Sequence, residues 1–177
     1  MKFLKPLVLA TLCLHFVHSN AGPGYVWTSG NFTIPTDTEI TSSDAQGIEA
    51  SGTSLGTLLN SGVIKSTSAS AEGGIYIGVS TSIEAIVNAS NGQIYGSGSG
   101  SGITVGDNSR IDNLTNYGVI GSASNSSAIA MGDMSTIGTL TNWGTIKTGV
   151  YDGIYIWNTS QITTLNNAQG AGNPSGA

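Results

Sequence analysis

The sequence predicts an all-β chain folded as a right-handed parallel β-helix, a β-solenoid with coils of about 25–28 residues, and three observations predict it. An aliphatic residue opens each of five units, Leu55, Ile83, Ile111, Ile137 and Ile162, at spacings of 28, 28, 26 and 25. Each opener is followed by a second aliphatic three positions on and then by an asparagine: Asn60, Asn88, Asn116, Asn142 and Asn167. Self-similarity at a fixed period of this kind marks stacked repeats. The third observation is composition: 8% charged residues and 26 glycines among 177, with regularly spaced Val, Ile and Leu, describe an ordered chain unlike an average enzyme.

In chain order, the first element stands apart from the repeat. Lys2 and Lys5 precede an apolar run from Leu7 to Val17, and Ser19-Asn20-Ala21 places small side chains ahead of a cut before Gly22. Residues 1–21 therefore read as a secretory signal peptide. The run is short of the roughly 20 apolar residues of a spanning helix, and Leu12 ahead of Cys13 is not the small residue that lipidation needs. Residues 22–46 are expected to form an N-terminal cap or first coil, because Tyr25, Trp27 and Phe32 offer bulk to cover the end of a stack. Residues 47–167 carry the solenoid repeats, and 168–177, small and polar, form a flexible C-terminal tail.

Within a unit, Leu114, Asn116, Gly118 and Ile120 recur at period two, the spacing of a strand with one face inward. A second strand appears as GIYIG (74–78), GITVG (102–106), AIAMG (128–132) and GIYIW (153–157). Two strands and a short Ile-x-x-Leu corner per coil are thus expected. Length varies in the connection between them, as it should where strands must register with their neighbours and a loop need not. The unit from Ile83 also carries two extra residues between Asn88 and Gly92. Identical positions in successive coils would lie about 4.8 Å apart. The asparagines then form a ladder of amide hydrogen bonds at a corner, and Thr53, Thr81, Ser109, Ser135 and Ser160 a column of hydroxyls. Gly96–Gly102, alternating Gly and Ser, reads as a flexible loop and not as a phosphate cradle, since no lysine or helix follows it.

Removing the leader takes away Cys13, His15 and His18 and leaves Lys65, Arg110 and Lys147 as the cations against ten acids. Without histidine or cysteine there is no Ser-His-Asp or Cys-His chemistry, no zinc site of His or Cys and no disulfide. No cofactor is expected. Three cations neutralise few phosphates, so nucleic acid is not an expected partner.

The unit Ile-x-x-Leu-x-Asn-x-Gly-x-Ile, followed by Gly-Ile-x-Ile and preceded by a signal peptide, resembles the passenger repeats of bacterial autotransporters, the type V secretion proteins. ITTLNNAQGAGNPSGA at 162–177 resembles a last passenger coil. The resemblance implies a non-enzymatic passenger at the cell surface or secreted, working as adhesin or display stalk, with a host-surface protein or glycan as partner. A full-length relative would continue into an outer-membrane barrel. No barrel-like strands occur among the 177 residues, so a passenger truncated before the barrel is the expectation, periplasmic if no barrel is supplied, with self-association through an uncapped C-terminal coil.

Candidate binding residues are Tyr117 and Trp143, at equivalent outward sites of adjacent coils where their rings could stack, and Tyr76 and Tyr155 on the second strand. Aromatic pairs are platforms for sugars or proteins, although exposed β-formers shielding the backbone would look the same. Asp107 and Asp133 share a column and read as solvated turn residues. They are also the pair on which a calcium site or acid catalysis would rest, the alternative being a β-helical polysaccharide-degrading enzyme or a glycan-binding module. The lone Arg110 beside them is a poor environment for that chemistry.

Overall fold

A computed structural model describes residues 16–18, 22–69, 73–123 and 125–168. Most of the leader, and residues 169–177 of the expected tail, lie outside the described residues. The described chain is all-β without a helix and stacks as a parallel β-solenoid of about five turns.

Three six-stranded parallel sheets run along the stack, and each coil contributes one strand to each. The first sheet contains β1 (Phe16–His18), β4 (Glu39–Ser42), β7 (Val63–Ser66), β10 (Gln93–Gly96), β13 (Val119–Ser122) and β16 (Thr145–Lys147). The second contains β2 (Tyr25–Trp27), β5 (Ile48–Ala50), β8 (Ile75–Ile77), β11 (Ile103–Val105), β14 (Ile129–Met131) and β17 (Ile154–Ile156). The third contains β3 (Phe32–Ile34), β6 (Leu55–Asn60), β9 (Ser82–Asn88), β12 (Arg110–Asn116), β15 (Thr136–Asn142) and β18 (Gln161–Asn167). The first coil is β2–β3–β4, the fifth is β14–β15–β16, and β17 and β18 begin a sixth. β1, inside the predicted leader, pairs with β4.

The register explains the repeated letters. Ile111 pairs with Ile83 and Ile137, Leu114 with Ile86 and Leu140, and Asn116 with Asn88 and Asn142. A residue type that suits the inward site of one coil suits the next, because each side chain packs on its own copy one rung away. Ile64, Ile94 and Ile120 from the first sheet, Ile75, Ile103 and Ile129 from the second, and Ile83, Ile111 and Ile137 from the third are fully buried in one continuous core.

Each coil has three strands, not the two strands and a corner expected from the period-two run. The Ile-x-x-Leu segment lies inside the long strand. Between Ile111 and Leu114, Asp112 and Asn113 both stay outside the core, and the pairing skips Asp112, so this strand is kinked instead of ended. The true bend falls at Tyr117-Gly118, between β12 and β13. Glycine is required there by crowding: a Cβ on Gly118 would stand 2.1 Å from the Gly92 carbonyl oxygen, and one on Gly144 would stand 2.2 Å from that of Gly118. Only a bare backbone lets successive corners stack at one-rung spacing.

Residues 22–46 are a complete coil as well as a cover. Tyr25, Trp27, Phe32 and Ile34 occupy the inward sites that Ile48, Ala50, Leu58 and Asn60 occupy one rung down. The Tyr25 and Phe32 rings stack at 4.3 Å, 9° from parallel, and the Trp27 indole Nε1 donates to the carbonyls of Ser29 and Gly30. Gly96–Gly102 is held by hydrogen bonds to both neighbouring coils: Ser97 Oγ donates to the Ser68 carbonyl, and Ser122 Oγ to that of Gly100. The expected flexible loop is instead a packed part of the stack.

Candidate functional site

The residues that could carry function gather at one corner, where the third sheet turns into the first. Its inner side is the asparagine column. Asn60 Nδ2 donates to Asn88 Oδ1 at 2.8 Å, Asn88 to Asn116 at 2.8 Å, Asn116 to Asn142 at 2.8 Å and Asn142 to Asn167 at 2.9 Å. The second amide hydrogens reach main-chain carbonyls of the turn, as from Asn88 to Gly92 and Val119 and from Asn116 to Thr145. Asn60, Asn88 and Asn116 are completely buried. A primary amide supplies two donors and an acceptor, which satisfies both the next rung and the turn where a bend interrupts the strand pairing. The ladder starts at the second coil, since the first carries Ile34 in that column.

Outside the ladder the corner positions are Pro35, Ser61, Ala89, Tyr117, Trp143 and Ala168. From Ser61 onward each main-chain N–H donates to the carbonyl of Ile34 or of an asparagine one rung earlier. Tyr117 and Trp143 thus occupy equivalent places, with Trp143 exposed, but their rings make no contact. The expected stack is absent although the asparagines of the same corner do stack, because shared register fixes the backbone positions of Tyr117 and Trp143 and not the directions in which their long side chains run. Tyr76 and Tyr155 face outward from the second sheet in one column, separated by Thr104 and Ala130, and Tyr155 meets Trp157 at 5.6 Å with the rings tilted by 59°. The structure therefore does not bring the four aromatic candidates together.

The hydroxyl and aspartate columns stitch coils to each other. Ser109 Oγ donates to the Gly78 carbonyl at 2.6 Å and accepts from the Thr81 N–H, while Asp107 Oδ1 accepts the main-chain N–H of Asp133 at 2.8 Å. Asp107 thereby serves as a brace for the next turn. Among the described residues no three acidic, histidine or cysteine side chains cluster to hold a metal.

One feature of the corner is only half legible in the spacing of the five units. The turn of the first coil, Pro35-Thr36-Asp37-Thr38, is two residues longer than that of the second, as is Ala89-Ser90-Asn91-Gly92 in the third. Both are closed by a main-chain hydrogen bond, Thr38 N–H to Pro35 and Gly92 N–H to Ala89. Asp37 sits in the left-handed region at φ 67°, which asparagine and aspartate tolerate better than most residues. The short turn Ser61-Gly62 lies between them, so two protruding turns roughly 10 Å apart, two rungs, flank a recessed floor. The resulting groove opens to solvent and encloses about 540 Å³, within the usual range for ligand sites. Asp37 and Glu39 stand on one wall, Asn91 and Gln93 on the other, with Ser61 and Val63 between. Lys65 bonds Glu39 at 2.6 Å and Thr41 donates to the same carboxylate, which together hold the Glu39 carboxyl below the ordinary carboxylate range.

Comparison with protein-family models, curated proteins and solved structures finds no match to this chain.

Proposed function

We propose that the chain is the passenger of an autotransporter-type export system, led out of the cytoplasm by residues 1–21 and displayed at a bacterial surface as an adhesin or stalk, without catalytic activity. The observation that carries this reading is the stack itself. Rigid in-register coils sharing one core hold outward side chains in fixed rows, which is what a presenting surface requires. The amino-acid pattern adds the leader and the passenger-like repeat. Tyr117 and Trp143, half-buried and exposed respectively, are the residues through which a host-surface protein or glycan would be held, since aromatics lead binding hot spots. Self-association through the last coil, where Ile156 and Leu165 are uncovered, belongs to the same proposal.

The test is display. Cells carrying residues 22–177 fused to a surface anchor bind epithelial monolayers or immobilised glycans above cells carrying the anchor alone. Replacing both Tyr117 and Trp143 with serine lowers that excess about tenfold, the loss of one hot-spot contact. Adhesion equal to the bare anchor would sink the proposal.

A further inference from the structure

We infer that the groove at the corner of the first three coils binds an uncharged oligosaccharide. This goes beyond the adhesin reading, because it stands on residues other than Tyr117 and Trp143 and requires neither export nor display.

The inference begins with how the groove is made. Three coils close this corner with the short form Asn-x-Gly: Asn60-Ser61-Gly62, Asn116-Tyr117-Gly118 and Asn142-Trp143-Gly144. That form is sufficient to turn a coil that carries the corner asparagine, as the third does, so the bend there does not require the two extra residues. The insertions of the first and third coils occur at the same corner on either side of one short coil, and a slot results that neither insertion alone would form. Its bottom is Ser61, Gly62 and Val63, joined to both walls by main-chain bonds from Val63 N–H to Thr38 and from Gln93 N–H to Gly62. The walls are therefore fixed at a spacing set by the stack, and such preorganisation reduces the cost of ordering a site on binding.

The chemistry of the two walls differs. Asp37 and Glu39 present oxygens that accept, while Asn91 and Gln93 present amides that both donate and accept. A ligand satisfying both must itself donate to one side and accept from the other at close intervals, which is the property of a chain of hydroxyls. A divalent cation fits poorly: Glu39 is engaged by Lys65 and Thr41, which leaves Asp37 as the uncommitted carboxylate where calcium takes several. The same commitment leaves a single charge to attract a basic peptide, opposite two neutral amides. An anionic ligand would meet Asp37 without a free cation facing it. Two residues beyond Gln93 on the same outer face of β10, the Tyr95 ring lies against Gly121, where a Cβ would come within 2.7 Å of its Cε1, with Lys147 Nζ 5.5 Å from its centre. Gly121 leaves room for that ring to lie across the sheet, where the Lys147 ammonium covers it, so the sugar is held by the groove walls and not by stacking on Tyr95.

The experiment is a titration of uniformly ¹⁵N-labelled protein with cellotriose, chitotriose and mannotriose, followed by amide shifts. At least one trisaccharide is expected to give saturable shifts at Thr36, Asp37, Asn91 and Gln93, with none in β14 and β15. Two variants separate binding from folding. Asp37→Asn keeps a residue suited to the left-handed backbone and removes the charge-assisted acceptor, weakening binding about tenfold. Deleting Ser90 and Asn91 converts the third coil to the short Asn-x-Gly form already used by its neighbours, and it removes one wall: binding is lost while the amide spectrum of β11–β15 is retained. The inference is overturned if none of the three sugars moves the groove amides, if the shifts persist after the deletion, or if an oligolysine peptide or calcium moves them where the sugars do not. Loss of adhesion in the displayed Tyr117 and Trp143 variant, with groove titrations unchanged, would show the two sites to be separate.

Discussion

The two ends of the stack are built from the same columns and yet differ in how they are finished. At the N-terminal end the inward sites hold Tyr25, Trp27, Phe32 and Ile34; Trp27 is 2% exposed although among the described residues no strand lies beyond it in the second and third sheets. At the other end the same columns hold Ile154, Ile156, Leu165 and Asn167, side chains sized for an interior, and Ile156 and Leu165 are 45% and 55% exposed. Large rings close an end by lying across it, whereas rung-sized aliphatics cover only themselves. The difference teaches that in a solenoid an inward position is not a buried position: burial needs a neighbour on each side, or a side chain large enough to replace one.

The two ends should differ most at tryptophan, which both carry. Trp27→Ala should cost about 3–5 kcal/mol, as for a buried aromatic, while Trp157→Ala, at a 53% exposed ring, should fall within about 0.5 kcal/mol. Urea unfolding followed by circular dichroism measures both, and equal costs would mean that the first coil closes nothing. Leucine in a single column gives the next contrast. Leu114→Ala in the middle should cost about 2–5 kcal/mol, and Leu165→Ala at the open end less than about 1 kcal/mol. In a stack with nearest-neighbour coupling the second change is local, so hydrogen exchange should show faster opening of β18 with β9 and β12 unmoved.

The columns were legible in the sequence because stacking forces near-identity on inward sites: each of Asn60, Asn88, Asn116, Asn142 and Asn167 meets its own copy. That the asparagines stand at a corner is legible, but the side on which the chain bends is not, since Asn116, Gly118 and Ile120 keep period two straight through it. Its signal is the glycine, present for its closeness to the carbonyl one rung away. The groove was half visible. Two extra residues after Asn88 stand out against the repeat, but the matching insertion follows Ile34, in a coil that lacks the asparagine by which the units were aligned. Adjacent backbone positions at Tyr117 and Trp143 do not bring their rings into contact, because register sets where a side chain starts and its rotamer sets where it ends.

The ladder supplies a smaller contrast of the same form. Asn116→Ala removes the acceptor of Asn88 and the donor to Asn142, both buried, and should cost about 1–3 kcal/mol for each group left unpaired. Asn167→Ala touches one bond at the exposed end and should cost less than about 1 kcal/mol. Asn116→Asp tests whether it is the amide donor that matters, since aspartate keeps the acceptor and loses the donor. If it is as stable as the parent at neutral pH, the ladder is only a spacer.

The smallest effect belongs to the capped end, where Glu39 in β4 bonds Lys65 in β7 and ties the first coil to the second. Hydrogen bonds from Lys65, the larger cause, and Thr41 lower the Glu39 carboxyl in the folded chain, so the unfolded state binds the proton more readily. The pair's contribution is then fully present above the ordinary glutamate value of about 4.3 and fades as pH falls below it through the lowered folded value. Both side chains are well exposed and solvent screens them, so Glu39→Gln should cost no more than about 1 kcal/mol at pH 7 and less at high salt. Unfolding midpoints of parent and variant should differ at pH 7 and converge toward pH 3. A gap that widened on acidification would mean that the carboxyl is held above its ordinary value and that the first coil is tied by something other than this pair.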